Sequence, residues 1–233
     1  MFSFLQYEFI QHAIFIGIAL AISAALISPF LVLNQQAMIS DGLAHVSFAG
    51  VILGVLLSSE PLWIAIPFVM LASLLIKYLS TSKTINGDAA IGLVSSVSFA
   101  IGLIMVKKGS GFSISIESML VGNMFTATSQ DIFFSFLITA FILTFILLSY
   151  RKLFLLTYDE NYAKFSQIHV KFYGYMLSAL TAFFIVIGVR TIGTLLISAL
   201  VIFPSVISSQ LTKSFKNTLL FGMISSIVIV IMG

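Results

Sequence analysis

The chain has 233 residues, of which 60% are hydrophobic and only 8% charged. A soluble domain carries roughly a quarter charged residues, so a sequence this apolar requires lipid as its solvent. Its net charge of +3 is too small to suggest a nucleic-acid partner, and the absence of cysteine excludes disulfides and thiolate metal sites.

About 20 mostly apolar residues cross the roughly 30 Å of bilayer hydrocarbon, and the charges divide the sequence into eight such runs. The residues from Met1 to Gln11 include no Lys or Arg, and the apolar run Ala13 to Leu33 exceeds a signal-peptide core, so it is predicted as a retained first span. The second, Leu43 to Leu57, is short and contains His45. Glu60 and Pro61 form a turn before the third, Leu62 to Leu79. A polar loop, Thr81 to Asp88, leads to the fourth, Ala89 to Val106. The stretch from Lys107 to Ser129 is a Gly/Ser-rich connection whose apolar centre, Met119 to Phe125, suggests a short interfacial helix. The fifth span, Ile132 to Tyr150, precedes the most polar stretch, Arg151 to Lys171. The sixth, Phe172 to Val189, and the seventh, Gly193 to Ser209, follow. The eighth starts near Thr218 and stops at Gly233, which suggests a C-terminally truncated chain. No linker appears, so residues 1–233 read as one all-α, polytopic transmembrane domain. The positive-inside rule places Lys77, Lys83, Arg151, Lys152, Lys164, Lys171, Lys213 and Lys216 in the cytoplasm, leaves Lys107, Lys108 and Arg190 outside, and puts the N-terminus outside.

Three histidines and eight acids are few enough to weigh singly. Asp41 and His45 are spaced i,i+4, so a helix stacks both on one face. Carboxylate oxygen and imidazole nitrogen suit Zn²⁺ or Mn²⁺, and ionisable groups within a membrane commonly mark a transport path. A purely structural alternative makes Asp41 a helix N-cap and His45 a packing residue. Two ligands also leave a zinc site incomplete, so water, another helix or a second copy must supply the rest. Asp88 reads as an N-cap, Asp131 as a helix-start acid, Glu60 and Glu117 as loop charges, and His12 as an interfacial residue. The stretch Tyr158 to Phe165 mixes charges and aromatics at amphipathic spacing, which fits either a connector resting on headgroups or a docking helix. No P-loop, His-Glu-x-x-His or Gly-x-Ser-x-Gly motif occurs, and no nucleophile–base set can be assembled, which disfavours ATP binding by this chain and a membrane enzyme.

Four segments resemble one known family in family order. Ser40 to Gly50, following Phe30 to Leu33, is similar to the second-helix motif of the zinc/manganese/iron ABC permeases, the ABC-3 family. Gly87 to Gly92 resembles their Asp-Ala-x-Ile-Gly segment. Asp159-Glu160-x-x-Ala163 resembles their cytoplasmic coupling helix, within a coupling loop at 151–171. Gly193 to Pro204 resembles their Gly-Thr-Leu-Leu-x-x-Ala-Leu-x-x-x-Pro motif. The resemblance implies a homodimeric pathway in a bacterial cell membrane, a separate cytoplasmic ATPase, an extracellular metal-binding protein and no resident cofactor. It makes Asp41 and His45 the ligands of a transiently held ion and Asp159, Glu160 and Ala163 the ATPase contact. The run from Val46 to Gly50 looks more like the zinc branch than the manganese one. The chain departs from the family at Asn34-Gln35-Gln36, where arginines are frequent. The expectation is therefore ATP-driven import of zinc, with manganese second. A secondary transporter or channel without an ATPase is the rival reading.

Overall fold

A computed structural model describes residues 7–34, 36–57, 61–81, 85–108, 122 and 128–232. Among them nine helices occur: α1 (Glu8–Leu33), α2 (Ile39–Leu57), α3 (Pro61–Thr81), α4 (Gly87–Lys108), α5 (Ser129–Tyr158), α6 (Glu160–Phe165), α7 (Val170–Ile192), α8 (Thr194–Leu211) and α9 (Phe215–Met232). All except α6 are long and apolar enough to cross a membrane, in agreement with the eight predicted spans. The turn at Glu60, Lys83, Gln35, Glu117 and, apart from Gly122, the predicted interfacial helix at Met119 to Phe125 lie outside the described residues.

Lipid offers no hydrogen bonds to a backbone, so each span closes its own ladder as a helix. Helices α1, α2 and α7 form the interior. The first packs against α5, α7, α8 and α9, and the second against α3, α4, α7 and α8. Small residues allow this close packing of α1, where Ala19, Ala21, Ser23, Ala24, Ala25 and Ser28 are all fully or almost fully buried. Hydroxyls then bridge the helices. Ser23 Oγ lies 2.8 Å from Thr139 Oγ1 of α5, and Thr139 also donates to Ala19 O at 3.0 Å. Ser28 donates to Val201 O of α8, and Ser73 of α3 donates to Ser178 O of α7 at 2.8 Å.

Two boundaries differ from the sequence reading in an instructive way. Residues 151–158, expected as the start of a polar loop, are the last turns of α5. Leu153 and Leu156 are buried there, and Phe154 packs against Phe215 of α9 with ring centroids 5.1 Å apart. Exposed Arg151 and Lys152 do not end the helix, and the Lys152 ammonium donates to Tyr173 Oη at 2.9 Å. The other boundary is the corner between α7 and α8, a single residue, Gly193, with φ +85°. The backbone of Ile192 and Gly193 is covered so closely by Gly122 that a side chain at position 122 would collide with it.

Candidate metal site and coupling segment

Asp41 and His45 fall in the first two turns of α2. Asp41 is the third residue of the helix rather than its N-cap, where a carboxylate still favours the positive end of the helix dipole. His45 Nε2 lies 3.9 Å from Asp41 Oδ2, and the side chains remain 39% and 55% exposed. Two ligands bonded to one ion at about 2.1 Å stand roughly 3–4 Å apart, so the pair needs only a small rotation to share a cation. Helix α4 positions them. Gly42 removes the side chain that would otherwise strike Ile91, and Gly102 does the same against Phe48 and Ala49 further along. The helices therefore run close, and Phe99 of α4 braces the His45 ring edge-on with centroids 5.0 Å apart.

No third His, Cys, Asp or Glu joins this pair among the described residues. Asp88 sits in the first turn of α4 as its second residue rather than as the expected N-cap. Asp131 is the helix-start acid anticipated, and more. It forms a capping box with Thr128, whose N and Oγ1 both donate to Asp131 Oδ2 at 2.9 and 2.8 Å. It is also 3% exposed, with Oδ1 3.6 Å from Arg190 Nε at the end of α7.

The candidate coupling segment is built around α6. Asp159 is its N-cap, with Oδ1 accepting from the N–H groups of Asn161 and Tyr162 at 2.9 and 3.0 Å. Glu160 pairs with Lys164 one turn on, at 2.6 Å. Ala163 is completely buried and seats the helix, while Tyr158, Tyr162 and Phe165 project outward, 84%, 54% and 85% exposed. The chain leaves α6 through Gln167, whose φ of +57° is unusual for a residue with a side chain.

The sequence model described as the ABC 3 transport family matches residues 6–233. The chain belongs to that family. A probable iron transport system membrane protein of Haemophilus influenzae is 32% identical to it over 98% of this chain and 84% of that protein. The manganese import system permease protein ScaB of Streptococcus parasanguinis is 30% identical over 93% of this chain and 77% of its own length. Among solved structures, PsaBC from Streptococcus pneumoniae in complex with Fab superimposes with a TM-score of 0.83 and 27% identity, covering 97% of this chain and 81% of that one. This ABC 3 family member is thus a multi-pass bacterial membrane protein and a transport permease subunit, not an enzyme.

Some features of the family member escaped the sequence reading. The capping box was visible as Thr128-x-x-Asp131. The partnership of Asp131 with Arg190 and the bracing of His45 by Phe99 join residues 59 and 54 positions apart, and no local pattern announces them.

Proposed function

We propose that this permease imports a divalent metal, held in transit by Asp41 and His45, with energy from a separate cytoplasmic ATPase. The observation that carries this reading is an imidazole and a carboxylate one turn apart, 3.9 Å from each other, on the open flank of a membrane-spanning helix. An aspartate facing acyl chains is unfavourable, by about 2.5–3.5 kcal/mol at the centre of a span on the mildest scale and by less near the helix end where Asp41 stands. The flank therefore faces either a water-filled passage or another protein surface. The adjoining surface of α4 favours a second copy of this chain. Gly92, Ser96 and Ala100 form an exposed stripe of small residues beside Leu93, Val97, Ile101 and Ile104, a pattern that suits close helix packing. Helical spacing puts Phe99, the neighbour of His45, on the same side as Gly92 and Ser96. Two copies meeting there would bring two Asp41–His45 pairs together and supply the four ligands a single chain lacks.

Oxygen and imidazole ligands serve Mn²⁺, Fe²⁺ and Zn²⁺ alike. The relatives named for manganese and iron move manganese ahead of zinc, which the Val46 to Gly50 run had favoured. Tyr158, Tyr162 and Phe165 of the α6 region form the surface that fits the ATPase. Asp159 and Glu160 shape and charge it, and buried Ala163 holds it against the bundle. An extracellular metal-binding protein delivers the ion at the opposite end, and binding is weak enough for release.

The test is uptake of manganese, iron and zinc by metal-starved cells expressing His45→Ala or Asp41→Ala at wild-type membrane abundance. Loss of uptake for one metal identifies both site and cargo. Undiminished uptake of all three in both variants would remove the assignment.

A further inference from the structure

A cavity of about 760 Å³ opens at the end of the bundle that carries α6, and Lys77, Asp88, Glu160, Lys164 and Lys171 all line it. Lys77 belongs to α3, one turn before the helix ends. A lysine at that depth keeps its stem on apolar surface and sends its ammonium toward water. Here the route of the stem is set by the neighbouring helix. A Cβ added at Gly174 of α7 would lie 3.0 Å from Lys77 Cε and 3.6 Å from Nζ, so the stem lies directly across the bare backbone at that position. One turn deeper, the hydrogen bond from Ser73 to Ser178 O fixes the register of α3 on α7. The ammonium is thereby delivered into the cavity, yet Lys77 takes part in none of the ion pairs found among the described residues.

Glu160 faces the same cavity from α6, paired instead with Lys164 of its own helix. Both members of that pair are more than half exposed. Exposed i,i+4 pairs are weak, worth a few tenths of a kcal/mol, so Glu160 can exchange partners at little cost.

We propose that Lys77 is a positioning residue for energy coupling: when a partner pushes α6 toward the bundle, Glu160 leaves Lys164 for Lys77, and displacement of α6 passes into the α3–α7 seam. This inference rests on the reading of α6 as the ATPase docking segment. Lys77 touches neither the ion nor the ATPase in this scheme. Its contribution is to give α6 a charged hold on the α3–α7 pair, where the Lys77 stem crosses Gly174 and Ser73 bonds Ser178 O.

The experiment compares metal transported per ATP hydrolysed in proteoliposomes containing the permease with its ATPase. Lys77→Met is expected to lower that ratio about tenfold, within the range of coupling energies between sites, while ATP hydrolysis continues. Lys77→Arg is expected to preserve it, and the exchange variant Lys77→Glu with Glu160→Lys to recover most of what Lys77→Glu alone loses. An unchanged ratio in Lys77→Met, or an exchange variant that keeps wild-type ATP hydrolysis yet couples no better than the single one, overturns the inference alone. Wild-type uptake that proceeds without ATP overturns the docking reading and this inference with it. If Lys77→Met does not accumulate, Lys77→Cys with Glu160→Cys in this cysteine-free chain decides the matter. Nucleotide-dependent cross-linking is expected, and a yield indifferent to nucleotide overturns the exchange.

Discussion

Asp131 and Arg190 clasp the start of α5 to the end of α7: Oδ1 lies 3.6 Å from Nε, with the carboxylate almost wholly enclosed. Arg190 is the cation that offsets part of the cost of burying that carboxylate, while the second carboxylate oxygen accepts two hydrogen bonds from Thr128. Removing one partner leaves an enclosed charge. Arg190→Met is expected to destabilise the purified permease by about 1–3 kcal/mol, and Thr128→Ala by about 1 kcal/mol through the capping box alone. Thermal unfolding in detergent measures both. Equal effects would mean that the ion pair contributes nothing beyond the cap.

The two glycines on opposite sides of α4's neighbourhood make contrasting predictions. Gly42 has no room for a side chain, since Ile91 of α4 occupies the space, whereas Gly92 has nothing within 4 Å. Gly42→Val is expected to cost about 1–3 kcal/mol through overpacking and to reduce membrane abundance. Gly92→Leu is expected to leave the stability of the single chain within about 0.5 kcal/mol and yet to abolish transport, by holding two copies apart. Wild-type uptake by Gly92→Leu would rule out pairing through this face.

Phe99 braces the His45 ring without offering a ligand. Phe99→Ala is expected to weaken metal uptake by loosening the imidazole, while His45→Ala is expected to remove a proposed ligand outright. Transport kinetics separate them: a raised half-saturation concentration with preserved maximal rate for Phe99→Ala, against lost rate for His45→Ala. Identical profiles would count against a bracing role.

Gln167 closes α6 in the left-handed region, its N–H bonded to Lys164 O and that of Ile168 to Ala163 O, both at 3.1 Å. Glycine adopts that conformation without the Cβ clash. Gln167→Gly is expected to stabilise the permease by about 1 kcal/mol, read as a raised Tm. A lowered Tm would show that the Gln167 side chain holds the corner in a way its backbone does not reveal.

Much of this protein was legible in one dimension. Apolar run length is a local property, so eight spans and their approximate limits could be read from composition alone, and helical periodicity placed Asp41 and His45 on one face. The same logic misjudged residues 151–158, because the burial that keeps them helical comes from Phe215, about 60 positions away along the chain. Nor does a local pattern show that the Ala163 side chain, which the family resemblance placed in the ATPase contact, is turned wholly inward.

What the order of residues determined by itself is that the chain must cross a membrane repeatedly and that one carboxylate and one imidazole share a helical face. Which way that face turns was decided only by the packing of α2 against α3, α4, α7 and α8. Periodicity states which residues point together, but the direction depends on which helices cover the others. The same holds for the clasp of Asp131 by Arg190 and the delivery of Lys77 past Gly174. Each joins groups brought together solely by long-range packing, which a one-dimensional pattern does not encode.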